Sequence, residues 1–184
     1  MKTSNQISQI TKVVAYSDGW VTNNGQIHAE AGGSTAAYNI STLRNIFTDT
    51  QINHQLISDS PLLFHEQHTY DLTNNKVKEV LPTKHTNNTA EALSLYLLII
   101  ELNELNLIRP GVDILLLLDS ELILNQVQGL YKTNQQPLKI IYQYLFQLLD
   151  RVARTHRIAR RDIFQIISFL HIPGTEMKKT IINH

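Results

Sequence analysis

The stretch TNNTAEALSLYLLIIELNELNLIRPGVDILLLLDSE, residues 86–121, decides the fold. From Thr89 to Leu107 it is rich in Leu, Ile, Ala and Glu, and Arg109-Pro110-Gly111 breaks it, which predicts a helix of roughly five turns. Val112–Leu118 (VDILLLL) is too short for a surface helix and, Asp113 aside, uniformly apolar. It reads as a buried central strand.

Upstream, Lys12–Ser17 (KVVAYS) is an apolar, β-branched run that reads as a strand entering a turn at Asp18-Gly19. Ala31–Ser41 reads as a second strand, with Gly32-Gly33 allowing a bend or a close backbone approach. Residues 42–62 have no clean period and read as an insertion, with a short helix near Leu43–Phe47. Phe64–Leu72 alternates as a strand does, and Lys76–Leu81 reads as another strand or its continuation. Downstream, Glu121–Gln128 is a short helix stopped by Gly129. Pro137 opens a longer one to Arg154, with Leu138, Ile141, Tyr142, Leu145 and Leu149 on one face. Ile163–Ile172 reads as a last strand closed by Pro173-Gly174, and Glu176–His184 as a short terminal helix. Strands, then helix, strand, helices, strand and helix predict a single α/β domain over 1–184, one mixed sheet with helices on both faces.

Bulk properties exclude several classes. Apolar residues make up 42% and charged residues 17% of the 184, an ordinary globular composition. The absence of cysteine rules out disulfides and thiolate zinc sites. No apolar run approaches the length that crosses a bilayer, and the polar start (Thr3, Ser4, Asn5, Gln6) lacks a signal-peptide pattern, so a cytoplasmic protein without membrane contact is expected. Formal net charge is zero, but its distribution is uneven: residues 1–150 carry nine Lys/Arg against fourteen Asp/Glu, and 151–184 carry seven against two. Arg151, Arg154, Arg157, Arg160 and Arg161 form a basic cluster that either tracks phosphates or is an ordinary solvated helix end.

Three acids sit where a sheet enzyme places them: Asp18 and Asp119 at strand ends, and Glu91 in the first turn of the long helix. Crowded carboxylates cannot all stay ionised without a cation, so a hard divalent metal is their natural partner. Each also has an ordinary reading: Asp18 as a turn residue, Asp119 as a helix N-cap, Glu91 as a favourable charge near a helix start.

In combination these segments resemble type 1 ribonuclease H of the compact prokaryotic and metagenomic branch. Ser17-Asp18-Gly19 with Asn23, Asn24 and Ala31-Gly32-Gly33 is similar to that family's opening, and Thr86-Asn87-Asn88-Thr89-Ala90-Glu91 to its T-N-N-x-x-E segment. Leu118-Asp119-Ser120-Glu121 resembles its D-S motif, and residues 125–132 (NQVQGLYK) with Pro137-Leu138 its N-Q-V-x-G-x-Y-K stretch. His171-Ile172-Pro173 resembles the histidine loop before its last helix. The resemblance covers the chain except residues 42–85.

The resemblance implies an RNase H-like five-stranded mixed sheet and a nuclease that cuts the RNA strand of an RNA–DNA hybrid. Asp18, Glu91 and Asp119 would hold two Mg²⁺ or Mn²⁺ ions, one activating water and the other stabilising the leaving 3′-oxygen, giving a 5′-phosphate product. His171 would assist proton movement or product release. Asn87 and Asn88, with Asn23 and Ser120 beside them, would contact the hybrid, where a 2′-hydroxyl marks the RNA strand. Helix capping is the alternative role for the paired asparagines. A monomer is the expected state.

The family closes its site with a fourth acid, an aspartate in the last helix, and this chain has no acid after Glu176. Gap-free spacing from His171 places Ile181 there, which cannot bind a cation; a slip of two places Asn183, whose carbonyl oxygen can. Asn183 is therefore taken as the fourth ligand. The family's last helix usually continues further, which fits a chain cut short. The alternative function is a catalytically weak or inactive RNase H-like module that binds nucleic acid.

Overall fold

A computed structural model describes residues 4–180 and 182; Ile181 and Asn183 lie outside the described residues. A short helix α1 (Ser4–Ser8) precedes the first strand, β1 (Lys12–Thr22). β1 pairs antiparallel with β2 (Glu30–Asn39) from Val13↔Asn39 to Thr22↔Glu30. The chain then makes a two-residue hairpin, β3 (Phe47–Thr48) with β4 (Gln51–Ile52), and a five-residue helix α2 (His54–Ser58). β5 (Leu62–Thr69) pairs antiparallel with β2.

The long helix α3 (Asn87–Glu104) leads to β6 (Asp113–Leu118), which lies parallel to β1. After α4 (Glu121–Val127), α5 (Gln136–Thr155) and α6 (Arg160–Ile166) comes β7 (Ile167–His171), parallel to β6, and then α7 (Gly174–Met177). The main sheet is five-stranded and mixed, in the order β5-β2-β1-β6-β7.

Two apolar layers flank the sheet. On one face α3 and α5 pack over Val13, Ala15, Ala37, Ile114 and Leu116. Helix α3 is buried nearly all round, which is why its sequence lacks a polar stripe. Helix α5 does carry one; its buried side is Leu138, Ile141, Tyr142, Leu145, Leu148, Leu149 and Val152. On the other face Val14, Tyr16, Ala36, Tyr38 and Leu117 are covered by Ile46, Ile52 and Ile57 from the insertion and by Met177 and Ile182. β2 is accordingly buried on both faces, and its small residues (EAGGSTAAYN) replace alternation.

Four expectations are corrected. Asp18-Gly19 is no turn: β1 runs on to Thr22, and Gly19 pairs with Gly33. No helix forms over 43–47, because Asn45 Oδ1 accepts from the Phe47 amide in a local turn; the insertion's helix begins instead after the Asn53 cap. Residues 76–81 add no strand but form successive turns anchored on the Asn74 carbonyl, with Val77 and Val80 as their buried contacts. Residues 163–166 belong to α6, where the Asp162 carboxylate accepts from the Ala159 amide; only Ile167–His171 is strand. The run IFQII fits either period, and the cap decides.

Candidate active site

β6 pairs with β1 only from Lys12 to Tyr16, so the sheet opens beside Asp18 just where β6 ends at Leu118. Asp119, the next residue, turns into that opening. Asp18 therefore stands within a strand, not at its end, but at the point where one neighbour stops. Glu91 arrives from above on α3 just past its first turn; that turn carries no acid, so the expected first-turn place is corrected. Close approach of that helix depends on Gly19: a Cβ there would lie 2.5 Å from the Ala90 carbonyl carbon and oxygen and 2.7 Å from the Glu91 nitrogen. Gly33, paired with Gly19, makes room for Ser94, whose hydroxyl donates to the Asp18 carbonyl at 3.3 Å and receives Tyr70 as a 2.6 Å partner.

One carboxylate oxygen from each of Asp18, Glu91 and Asp119 lies within 4.8 Å of the others, all three side chains partly buried. Burial, then the charges of Asp119 and Asp18, push the Glu91 carboxyl well above the usual glutamate range. The Gly19 amide donates to Glu91 Oε1 at 3.2 Å and offsets part of that. An all-oxygen, acid-rich cluster that cannot stay fully ionised by itself fits hard divalent cations, which would be held by these three side chains.

The other expected residues surround this cluster in different ways. His171, exposed at the end of β7, places Nε2 3.2 Å from the Asp119 carbonyl oxygen. Ser120 caps α4, its hydroxyl accepting from the Ile123 amide at 3.2 Å, and it keeps an O–H to donate. The α3 cap is a reciprocal Thr86–Thr89 pair, so Asn87 and Asn88 are not the caps. Asn23 sits in the left-handed region (φ 54°) of the loop after β1. Asn183 lies outside the described residues, and Glu176 is bonded to His54.

Asn24 is a residue the motif contained but its role was not assigned: its Oδ1 accepts from the Asn87 amide at 3.1 Å, tying the loop after β1 to the start of α3. Trp20, 44% exposed, lies on β1 two residues past Asp18. The arginine cluster spans the end of α5 and the start of α6, which leads into the end of β7 remote from His171. Arg160 there is engaged by Asp150 through two hydrogen bonds and lies 5.1 Å from the Phe146 ring centre.

Family models and curated protein sequences give no match to this chain. Solved structures do. RNase H1 from the halophilic archaeon Halobacterium salinarum NRC-1 aligns with TM-score 0.59 at 19% identity, over 92% of this chain and 91% of its own. LC11-RNase H1, isolated from compost by a metagenomic approach and solved with an RNA/DNA hybrid, aligns with TM-score 0.56 at 18% identity, over 89% and 87%.

The fold is that of ribonuclease H.

The N-terminal RNase H domain of a Mycobacterium tuberculosis protein, solved fused to maltose binding protein, agrees with TM-score 0.56 at 18% identity, over 90% of this chain and 84% of that one. On this RNase H fold the carboxylate cluster occupies the opening between β1 and β6. No described helix is long and apolar enough to cross a membrane.

Proposed function

We propose that the chain is a single-domain endoribonuclease that hydrolyses the RNA strand of RNA–DNA hybrids, leaving 5′-phosphate and 3′-hydroxyl ends. The observation that carries this reading is the convergence of Asp18, Glu91 and Asp119 within 4.8 Å at the sheet opening of an RNase H fold. LC11-RNase H1, of the same fold, was solved with an RNA/DNA hybrid bound, which supports the choice of substrate.

Two Mg²⁺ or Mn²⁺ ions, when bound, supply Lewis acidity to the scissile phosphate and to the attacking water. The chain's own residues do the rest. Asp18 on β1 beside the point where β6 stops, Glu91 on α3 and Asp119 just past β6 would hold the ions, each offering a carboxylate oxygen. His171 holds an exposed imidazole beside Asp119, placed to take or give a proton at the phosphate as product leaves. Asn23, Asn87 and Asn88 line the start of α3 as donors and acceptors for the sugar edge of the RNA strand, and the Ser120 hydroxyl donates to a phosphate oxygen. The protein acts as a cytoplasmic monomer in this reading.

A cleavage assay comparing hybrid, duplex RNA and duplex DNA, with and without Mg²⁺ or Mn²⁺, tests it. Metal-dependent cleavage of the hybrid alone is expected; no cleavage with either metal ends the reading. The catalytically weak alternative draws on one feature, since the last acid of the chain, Glu176, is occupied by His54.

The fourth ligand is assigned to Asn183. A neutral amide supplies one negative charge fewer than aspartate, and ligand charge tunes affinity for hard cations. Asn183→Asp is expected to keep or raise activity and to lower the metal concentration for half-maximal cleavage; Asn183→Ala should lower activity, and Ile181→Ala should act only through packing. Equal cleavage by Asn183→Ala and wild type across a metal titration removes Asn183 from the site.

A further inference from the structure

The insertion between β2 and β5 carries a histidine that joins two elements beside the site. His54, the first residue of α2, places Nδ1 2.8 Å from the Tyr16 hydroxyl and Nε2 2.6 Å from Glu176 Oε1. Tyr16 is fully buried on β1, two residues before Asp18 and on the same strand face. Glu176 lies in α7, two residues after Gly174, where a Cβ would stand 3.7 Å from Asp119 Oδ2. One imidazole is thus bonded at once to the strand that carries Asp18 and to the helix that borders Asp119.

The chemistry of the bonds is self-consistent. A neutral imidazole with its hydrogen on Nε2 donates to the carboxylate and accepts from the phenol, so all three groups are satisfied without a net buried charge beyond Glu176. Apolar contacts reinforce the tie: Ile46, Ile52 and Ile57 of the insertion share one cluster with Met177 and Ile182. The His54–Glu176 bond adds direction to this contact and helps set where α7 stands along the sheet. The C-terminal segment lies against Asp119 at two points: His171 Nε2, on a residue paired with Leu118 in the sheet, and Gly174, at the start of the α7 that Glu176 ties to His54.

We infer that the insertion is a strap, and that His54 and Glu176 are positioning residues that set the C-terminal segment against the metal-binding carboxylates. The inference rests on the metal-dependent reading of the site. Partners of this kind act through orientation, and losing one typically weakens metal binding tenfold or more. Glu176 is 30% exposed at its side chain, so truncating it leaves no buried cavity.

The test uses the full, metal-free chain and Mn²⁺ itself as probe, by isothermal titration calorimetry with amide hydrogen exchange alongside. Glu176→Ala and His54→Ala are expected to weaken Mn²⁺ binding about tenfold. Exchange at the Ile172 and Met177 amides should quicken, while the central strands β1 and β2 keep their protection. Glu176→Gln, which retains an oxygen acceptor for Nε2–H, should restore affinity to within about threefold of wild type, and the double alanine variant should be no worse than either single one. His54→Gln stands in if His54→Ala does not fold. Wild-type Mn²⁺ affinity in the folded variants overturns the strap while leaving the nuclease reading intact. No Mn²⁺ binding by the wild type overturns both.

Discussion

Asp18→Asn is expected to abolish hybrid cleavage, by about a thousandfold or more, while raising the melting temperature of the metal-free protein. The first effect follows from Asp18's place in the three-carboxylate cluster at the sheet opening; a neutral amide there removes a charge from the cation site. The second follows from repulsion. Glu91 is held above its ordinary value of 4.5 by burial and by the charges of Asp119 and Asp18, so the folded protein binds that proton more tightly than the unfolded chain does. Its stabilising contribution is fully present below about pH 4.5 and is lost as pH rises through the folded value. Without metal, the wild type should therefore lose stability from about pH 4.5 upward more steeply than Asp18→Asn, and saturating Mg²⁺ or Mn²⁺ should close the gap. Each kcal/mol relieved raises the melting point of a chain this size by roughly 2–4 °C. Thermal melts in chelator at pH 5 and pH 8, beside cleavage assays, read both effects. Full activity in the variant, or a melting point that ignores the substitution at both pH values, would sink the carboxylate cluster as the metal site.

The legible parts of this fold are those where one physical constraint acts alone. Ile114–Leu118 is buried on both faces and reads as an unbroken apolar run; α5 has one wet face and reads as an amphipathic helix. The hidden parts are those where a local signal and a distant contact compete. Asp18-Gly19 has turn chemistry, yet Gly19 is there because the α3 backbone needs its space, and the strand continues. The segment Ile163–Ile166 is apolar enough for a strand, but a carboxylate three residues from Ala159 caps it into helix. Of the site, the acids and the asparagine pair could be found from their motifs, because each motif is a short contiguous run of sequence. His54 could not. It lies in an aperiodic insertion 122 residues from Glu176, and no local pattern marks a bond that exists only after both faces of the sheet are covered.

Gly19→Ala is expected to damage both stability and cleavage. The added carbon would lie 2.5 Å from the carbonyl carbon and oxygen of Ala90, atoms of helix backbone with no rotamer to yield. Helix α3 cannot simply lift, because its other sides are packed against α5 and the sheet over twelve buried residues. Overpacking of this kind costs about 1–3 kcal/mol and more where the neighbour is rigid, or a fall of roughly 2–12 °C in melting temperature. The relief that costs least tilts the start of α3 away from β1, and Glu91 lies just past its first turn. A displacement of about 1 Å at a catalytic group lowers rate roughly a hundredfold, so activity should fall further than stability does. Gly174→Ala is the matched control: its Cβ would meet Asp119 Oδ2 at an ordinary 3.7 Å, so the same methyl, equally near the acids, should leave cleavage within about threefold. Melts and cleavage rates on the two variants separate crowding from seating. If Gly19→Ala melts within a degree of wild type and cleaves as fast, α3 is not seated on β1 through this glycine, and the placement of Glu91 must be revised.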